Sequence, residues 1–153
     1  MKFRAPLATA AIAIATAFTA MPAAAQFQKP EQAIKFRQSA MSLQGTHVGR
    51  VFAMANGRVP FDAKVAAENI EIVAMLNRLQ FSAFIDGTDK GNTNAKPQLW
   101  AEKEKFAAAV AKSQEDVAKL SAAGKTGNID QIKAAVGAVG ESCKACHDAY
   151  KKE

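Results

Sequence analysis

The stretch IDQIKAAVGAVGESCKACHDAY, residues 129–150, decides how the rest of the chain must be read. Ile129, Ile132, Val136, Val139, Cys143, Cys146 and Tyr150 recur at alternating steps of three and four. They therefore share one face of an amphipathic helix. Gly127-Asn128, just ahead of it, is turn chemistry. A helix of this kind holds its shape mainly by burying its stripe against neighbours. The upstream sequence supplies those neighbours.

Pro30 suits the first turn of a helix that runs to about Ala55, since its missing N–H is no loss there. Ile34, Met41, Val48, Val51, Phe52 and Ala55 mark one face of it. Asn56-Gly57-Arg58-Val59-Pro60 stops it. Asp62 is a candidate N-cap for a second helix, with a stripe of Val65, Asn69, Ile72, Leu76, Leu79 and Ala83 and with Phe84 beside its end. Asp86 to Pro97 is a polar loop. Leu99, Phe106, Val110, Val117 and Leu120 mark a third helix, which Gly124 is expected to end. Alternating β-branched runs are missing. Four helices of about 20 to 27 residues with mostly short connections predict an all-α, antiparallel four-helix bundle. Its stripes are thin and rich in alanine, so such a bundle either packs very tightly or encloses something else.

Length and composition agree with a single folded unit. The chain has 153 residues, a formal net charge of +6, two cysteines and two histidines. Apolar content of 49% is too high for a disordered chain. Two cysteines cannot build a dense disulfide framework. No clustered basic patch marks nucleic-acid binding.

Residues 1–25 read as a cleaved secretory signal, with Lys2 and Arg4 ahead of an apolar run and Ala23-Ala24-Ala25 before Gln26. The alternative, an uncleaved membrane anchor, suffers from a run that is short for a spanning helix. The mature chain, 26–153, is then one exported domain. No later segment is apolar enough to span a bilayer, so no stable membrane insertion is expected after cleavage.

Cys143-Lys144-Ala145-Cys146-His147 is the spacing of c-type haem attachment. Two thiols three residues apart on one helical turn can add across the two vinyl groups of one haem edge. The next imidazole can then reach the iron through Nε2. Export fits, because c-type haem is attached outside the cytoplasm. A thioredoxin-like dithiol would need a βαβ context, which is missing. A zinc site would need a fourth ligand, and the other histidine, His47, is remote in sequence. A Cys143–Cys146 disulfide would close too small a loop to stabilise much.

The motif stands on the last helix, whereas small c-type cytochromes commonly carry it near the N-terminus. With Ala33-Ile34-Lys35-Phe36-Arg37-Gln38-Ser39-Ala40-Met41, Ala95-Lys96-Pro97-Gln98-Leu99-Trp100 and Ser142 to Lys151 in view, the chain resembles the cytochrome c′ family of class II c-type cytochromes across its whole mature length. The resemblance implies an up-down-up-down bundle around one covalent haem c held by Cys143 and Cys146, with His147 as proximal iron ligand. It implies that Arg37 and Gln38 contact the haem propionates, that Phe84 walls the distal side, and that Asn94 and Lys96 border a haem edge. Lys151 stands where the family often has arginine beside the proximal face, and it keeps the charge without the fork. His47 is read as a surface histidine with no role.

Met41 matches the position facing the distal side of the iron. An apolar residue there accompanies a five-coordinate, high-spin haem, while a related group uses a methionine sulfur as sixth ligand. The remainder of the chain favours the open site. The resemblance thus implies a periplasmic protein that binds NO or CO and can transfer electrons. The alternative is a low-spin electron carrier ligated by Met41. A redox partner protein and a homodimer joined through the first two helices are also implied. No general base or polar distal residue is evident near Met41, so an enzyme is not expected. Intact mass and N-terminal sequencing of the exported protein should show Gln26 as the first residue, and a product retaining Met1 would refute the cleavage.

Overall fold

The computed structural model describes residues 26–152, so the expected signal segment lies outside the described residues. Four long helices form: α1 Pro30–Ala55, α2 Ala63–Gln80, α4 Lys103–Thr126 and α5 Ile129–Tyr150, with a one-turn helix α3 at Gln98–Ala101. Their ends follow from local chemistry. Pro30 opens α1, and the Gln32 side chain accepts from the Lys29 backbone N–H at 3.2 Å. Asp62 caps α2 by accepting from the Val65 N–H at 3.0 Å, as expected. Asn128 caps α5 by accepting from the Asp130 and Gln131 N–H groups. Among the described residues no helix is long and apolar enough to cross a membrane.

The helices pack as a closed square in which α1 meets α2, α2 meets α4, α4 meets α5 and α5 meets α1. One cavity reports their directions. It is lined by Arg37 to Val48 of α1, ahead of the core residues Val51 and Met54, and by the C-terminal end of α2, the N-terminal half of α4 and the C-terminal end of α5. The four therefore run up, down, up, down. The opposite end of the bundle is a solid apolar core. There Val51 and Met54 of α1, Ile70 and Val73 of α2, Val117 and Leu120 of α4, and Ile132, Val136 and Val139 of α5 are buried together.

Three sequence expectations are corrected. Gly124 does not end the third helix but lies inside α4, where a Cβ would come within 2.9 Å of Ile70 Cδ1. Its missing side chain lets α4 approach α2. The helix ends instead on Gly127, which takes the left-handed φ of 65° that suits glycine at this cap. Leu99 sits on α3 rather than on the third long helix, because Glu102 breaks the run with φ −113° and ψ 47°. The second stripe is turned on its axis. Asn69, Leu76 and Ala83 are buried, but Val65 and Leu79 are 42% exposed, and Ala66, Ile70, Val73, Asn77 and Gln80 face inward instead.

Gly124→Val should lower stability by about 1–3 kcal/mol through overpacking against Ile70. Gly137→Ala, where a Cβ meets nothing within 4 Å, should raise it by roughly 0.5–1 kcal/mol. Denaturant unfolding of both variants checks this, and an unchanged midpoint for Gly124→Val would show that the helices are not in close approach there.

Candidate cofactor site

The cavity has a volume of about 420 Å³, within the range of small-molecule and cofactor sites. α5 contributes Cys143, Cys146 and His147 from one stretch of helix, together with Tyr150. Both cysteines are free and half-buried. Burial raises both thiol pKa values, with the Asp116 charge adding to the effect at Cys143 and Cys143 itself at Cys146. The sulfurs are thus held as neutral thiols. Burial lowers the pKa of His147, Lys151 lowers it further, and Asp148 opposes. A neutral imidazole is the form that can bind a metal through nitrogen.

Other walls come from α1, with Met41 and Val48, and from an aromatic group. Phe84 packs on Phe106 at 5.1 Å between centroids, and Phe106 meets Tyr150 edge-on at 5.6 Å. The aromatic content is small, but this end of the bundle holds much of it. A flat apolar group with two reactive edge carbons, anchored at α5, suits this donor set and these walls. His47 does not join the site. Its Nδ1–H donates to Asn69 Oδ1 at 2.8 Å across α1 and α2, so it is a half-buried interhelix tie rather than a surface side chain.

Arg37 is the most constrained residue of the site. It is 2% exposed. Its Nη1 donates to the Ala83 carbonyl at 3.2 Å and Thr88 Oγ1 at 2.7 Å, and its Nη2 to the Thr88 carbonyl at 2.7 Å and Thr93 Oγ1 at 2.8 Å. The guanidinium carbon lies 4.5 Å from the Phe84 ring centroid and 5.5 Å from that of Trp100. Burial pushes its pKa down to about 10. The expected partnership with an acidic group is therefore modified. The terminal nitrogens are committed to neutral oxygens of the loop between Ala83 and Thr93. Arg37 still lines the cavity, where its charge can act on a bound carboxylate.

Gln38 lines the rim and donates to the Asn92 carbonyl at 3.0 Å. Asn94 also lines the cavity, while its carbonyl accepts from the Lys152 N–H at 2.7 Å. Lys96 is not among the residues that line the cavity. Its ammonium donates to the Asp148 carbonyl at 2.9 Å and its backbone N–H to the Tyr150 carbonyl at 2.8 Å. It fastens the loop to the end of α5. Lys151 does line it.

The sequence reading missed four buried polar residues of the lining, Gln44, Gln80, Thr93 and Ser113. Gln44 and Gln80 are buried and line the cavity from α1 and α2. The signal was available for Gln44, which follows Met41 by three residues, a same-face spacing on α1. Gln80 is the last residue of α2 and Phe84 lies beyond it, so no helical spacing links them. The expectation of no polar group near Met41 is thereby corrected.

Comparison with known proteins agrees with this architecture. The family model described as Cytochrome C' matches residues 32–151. A Rubrivivax gelatinosus cytochrome c′ is 57% identical over 129 residues, covering 84% of this chain and all of the relative. Its crystal structure superposes with a TM-score of 0.82 over 83% of this chain and all of that one. An Alcaligenes xylosoxidans cytochrome c prime variant, solved as its nitric oxide complex, matches at 42% identity and TM-score 0.79 over 83% of this chain and 98% of that one. A carbon monoxide-bound variant of the same protein matches at 42% identity and TM-score 0.79, over 83% and 99%.

Arg37→Lys keeps the charge but loses the planar fork. Several loop oxygens would be left without donors, so stability should fall by about 2–3 kcal/mol. Proteolytic cleavage between Phe84 and Pro97 should quicken. Urea unfolding and limited proteolysis measure both, and a wild-type cleavage rate in the variant would contradict the clamp.

Proposed function

Since the chain belongs to the cytochrome c′ family, whose members carry one covalently bound haem c, we propose that it is an exported, periplasmic haem protein that binds NO and CO and transfers single electrons without turning over a substrate. One observation carries the reading: two neutral thiols and an imidazole from one stretch of α5 line a largely apolar cavity whose α1 wall includes Met41. The Rubrivivax relative is matched over its full length by 84% of this chain, which supports a mature protein beginning at Gln26.

When bound, the haem supplies an iron that takes a diatomic ligand and exchanges one electron. Cys143 and Cys146 would hold it through thioethers, each S–H adding across a vinyl group with no leaving group. His147 would present a neutral nitrogen to the metal. Met41 and Phe84 would wall the ligand space with apolar bulk, which would admit small neutral gases and disfavour anions. Arg37 supplies positive charge for the propionates through the cavity wall, and Gln38 adds a polar contact at the rim. The family's relatives solved with nitric oxide and carbon monoxide support the choice of ligands.

Lys151 and Lys152 place positive charge near the mouth, suited to an acidic redox partner. Leu43 on α1 and Val65, Met75 and Leu79 on α2 are exposed apolar residues on neighbouring helices. They support a homodimer joined through the first two helices.

Absorption and magnetic circular dichroism spectra of the purified holoprotein test the open site. A five-coordinate ferrous haem that takes CO readily is expected, and Met41→Ala should speed ligand entry with little spectral change. A ferric near-infrared band from sulfur-to-iron charge transfer would replace this reading with a low-spin electron carrier ligated by Met41.

A further inference from the structure

The inner end of the cavity carries a layer of buried polar groups that the haem reading leaves unused. Gln44 of α1, Gln80 of α2 and Ser113 of α4 line it, and they are 5%, 4% and 4% exposed. One turn further along their helices, Asn77 and Asp116 are buried as well. Asn77 Nδ2 donates to Ser113 Oγ at 3.0 Å, and Asp116 Oδ1 accepts from Lys112. Four oxygens of this layer have no hydrogen-bond partner among the described residues: Gln44 Oε1, Asn77 Oδ1, Gln80 Oε1 and Asp116 Oδ2.

A buried polar atom left without a partner is costly. Four of them together would weigh heavily against the small net stability of an ordinary domain. They therefore need a partner. The apolar and aromatic walls offer none, and the partner must be small enough to sit between four helices. Water meets these terms. It donates and accepts, so it satisfies the amides in either orientation, and buried waters characteristically hold two to four polar groups together.

We propose that Gln44, Gln80 and Ser113 form a hydration site at the inner wall of the cavity, whose bound water faces the side where a gas ligand enters. The side is set by helix register. Gln44 lies three residues past Met41 on α1, so it stands one turn inward from that residue, and Gln80, the last residue of α2, lines the same cavity as Phe84. A water so placed offers a hydrogen bond where the rest of the wall is apolar. It favours ligands that gather negative charge on their outer atom.

The proposal rests on the haem reading of the cavity, so the test separates the two. A high-resolution crystal structure of the ferric holoprotein should show an ordered water within about 3.2 Å of both amides. The double variant Gln44→Leu/Gln80→Leu should lose that water, and the C–O stretching frequency of its ferrous CO adduct should rise above wild type as the pocket field weakens. The single variants Gln44→Leu and Gln80→Leu give the same readings should the double variant fold poorly. A wild-type wall without ordered water overturns the site. A C–O stretch that stays put in a folded variant lacking the water overturns its orientation toward the ligand. Failure of the ferrous protein to bind CO strikes the open-iron reading instead, while the ferric crystal structure still decides the hydration site.

Discussion

Much of the cavity end of this protein depends on a buried guanidinium without a carboxylate. Arg37 reaches from α1 into the long connection between α2 and α3, where it collects a carbonyl from Ala83, both oxygens of Thr88 and the hydroxyl of Thr93. A guanidinium can do this because its donors form a fixed planar fork. Desolvating the charge is unfavourable, which the lowered pKa records. The hydrogen bonds and the two aromatic faces of Phe84 and Trp100 offset it. The loop has little apolar material beyond Phe84 and Ile85, so this clamp, with the Gln38–Asn92 and Trp100–Ile85 hydrogen bonds, holds it over the cavity. Its far end is fastened separately, by the pairing of Ala95 with Lys151 at the end of α5.

The bundle divides its labour along its length. At the solid end, aliphatic side chains from all four helices meet, and glycine permits close approach, as at Gly124 against Ile70. A bundle that packed this way throughout would have no interior space. At the other end the same helices carry aromatic, sulfur and amide side chains around a cavity. The solid end holds the helix spacing, and the cavity end uses that spacing to place two thiols and an imidazole opposite α1. The site is thus a consequence of where the apolar core stops.

That stopping point is also where buried polarity begins. Asn77 and Gln80 on α2 and Ser113 and Asp116 on α4 lie along the inner faces of their helices, beyond the last aliphatic layer. A purely apolar pocket would discriminate ligands by size alone. Amides in its inner wall add discrimination by charge distribution, because hydrogen bonds strengthen where water is scarce.

The sequence by itself determined the helices and the attachment chemistry. Both are local: a stripe at three- and four-residue steps declares a helix, and Cys143, Cys146 and His147 lie within a single helical turn or so, where their relation is set by backbone geometry. Four such stripes with mostly short connections implied the antiparallel bundle, and resemblance added the family. Tertiary structure decided the rest, for identifiable reasons. α2 carries apolar residues on two faces, so periodicity picked Val65 and Leu79, which stay exposed, over Val73 and Ile70, which are buried. Gly124 reads as a stop in sequence, and only the nearness of Ile70 makes it a packing residue. Arg37 is expected from the resemblance to meet the propionates, and only the fold shows Thr88 and Thr93, more than fifty positions away, taking up its guanidinium. Gln44 and Gln80 become part of a cavity wall only because α1 and α2 turn those faces inward. Such properties belong to contacts between distant segments, and local spacing carries no record of which segments will meet.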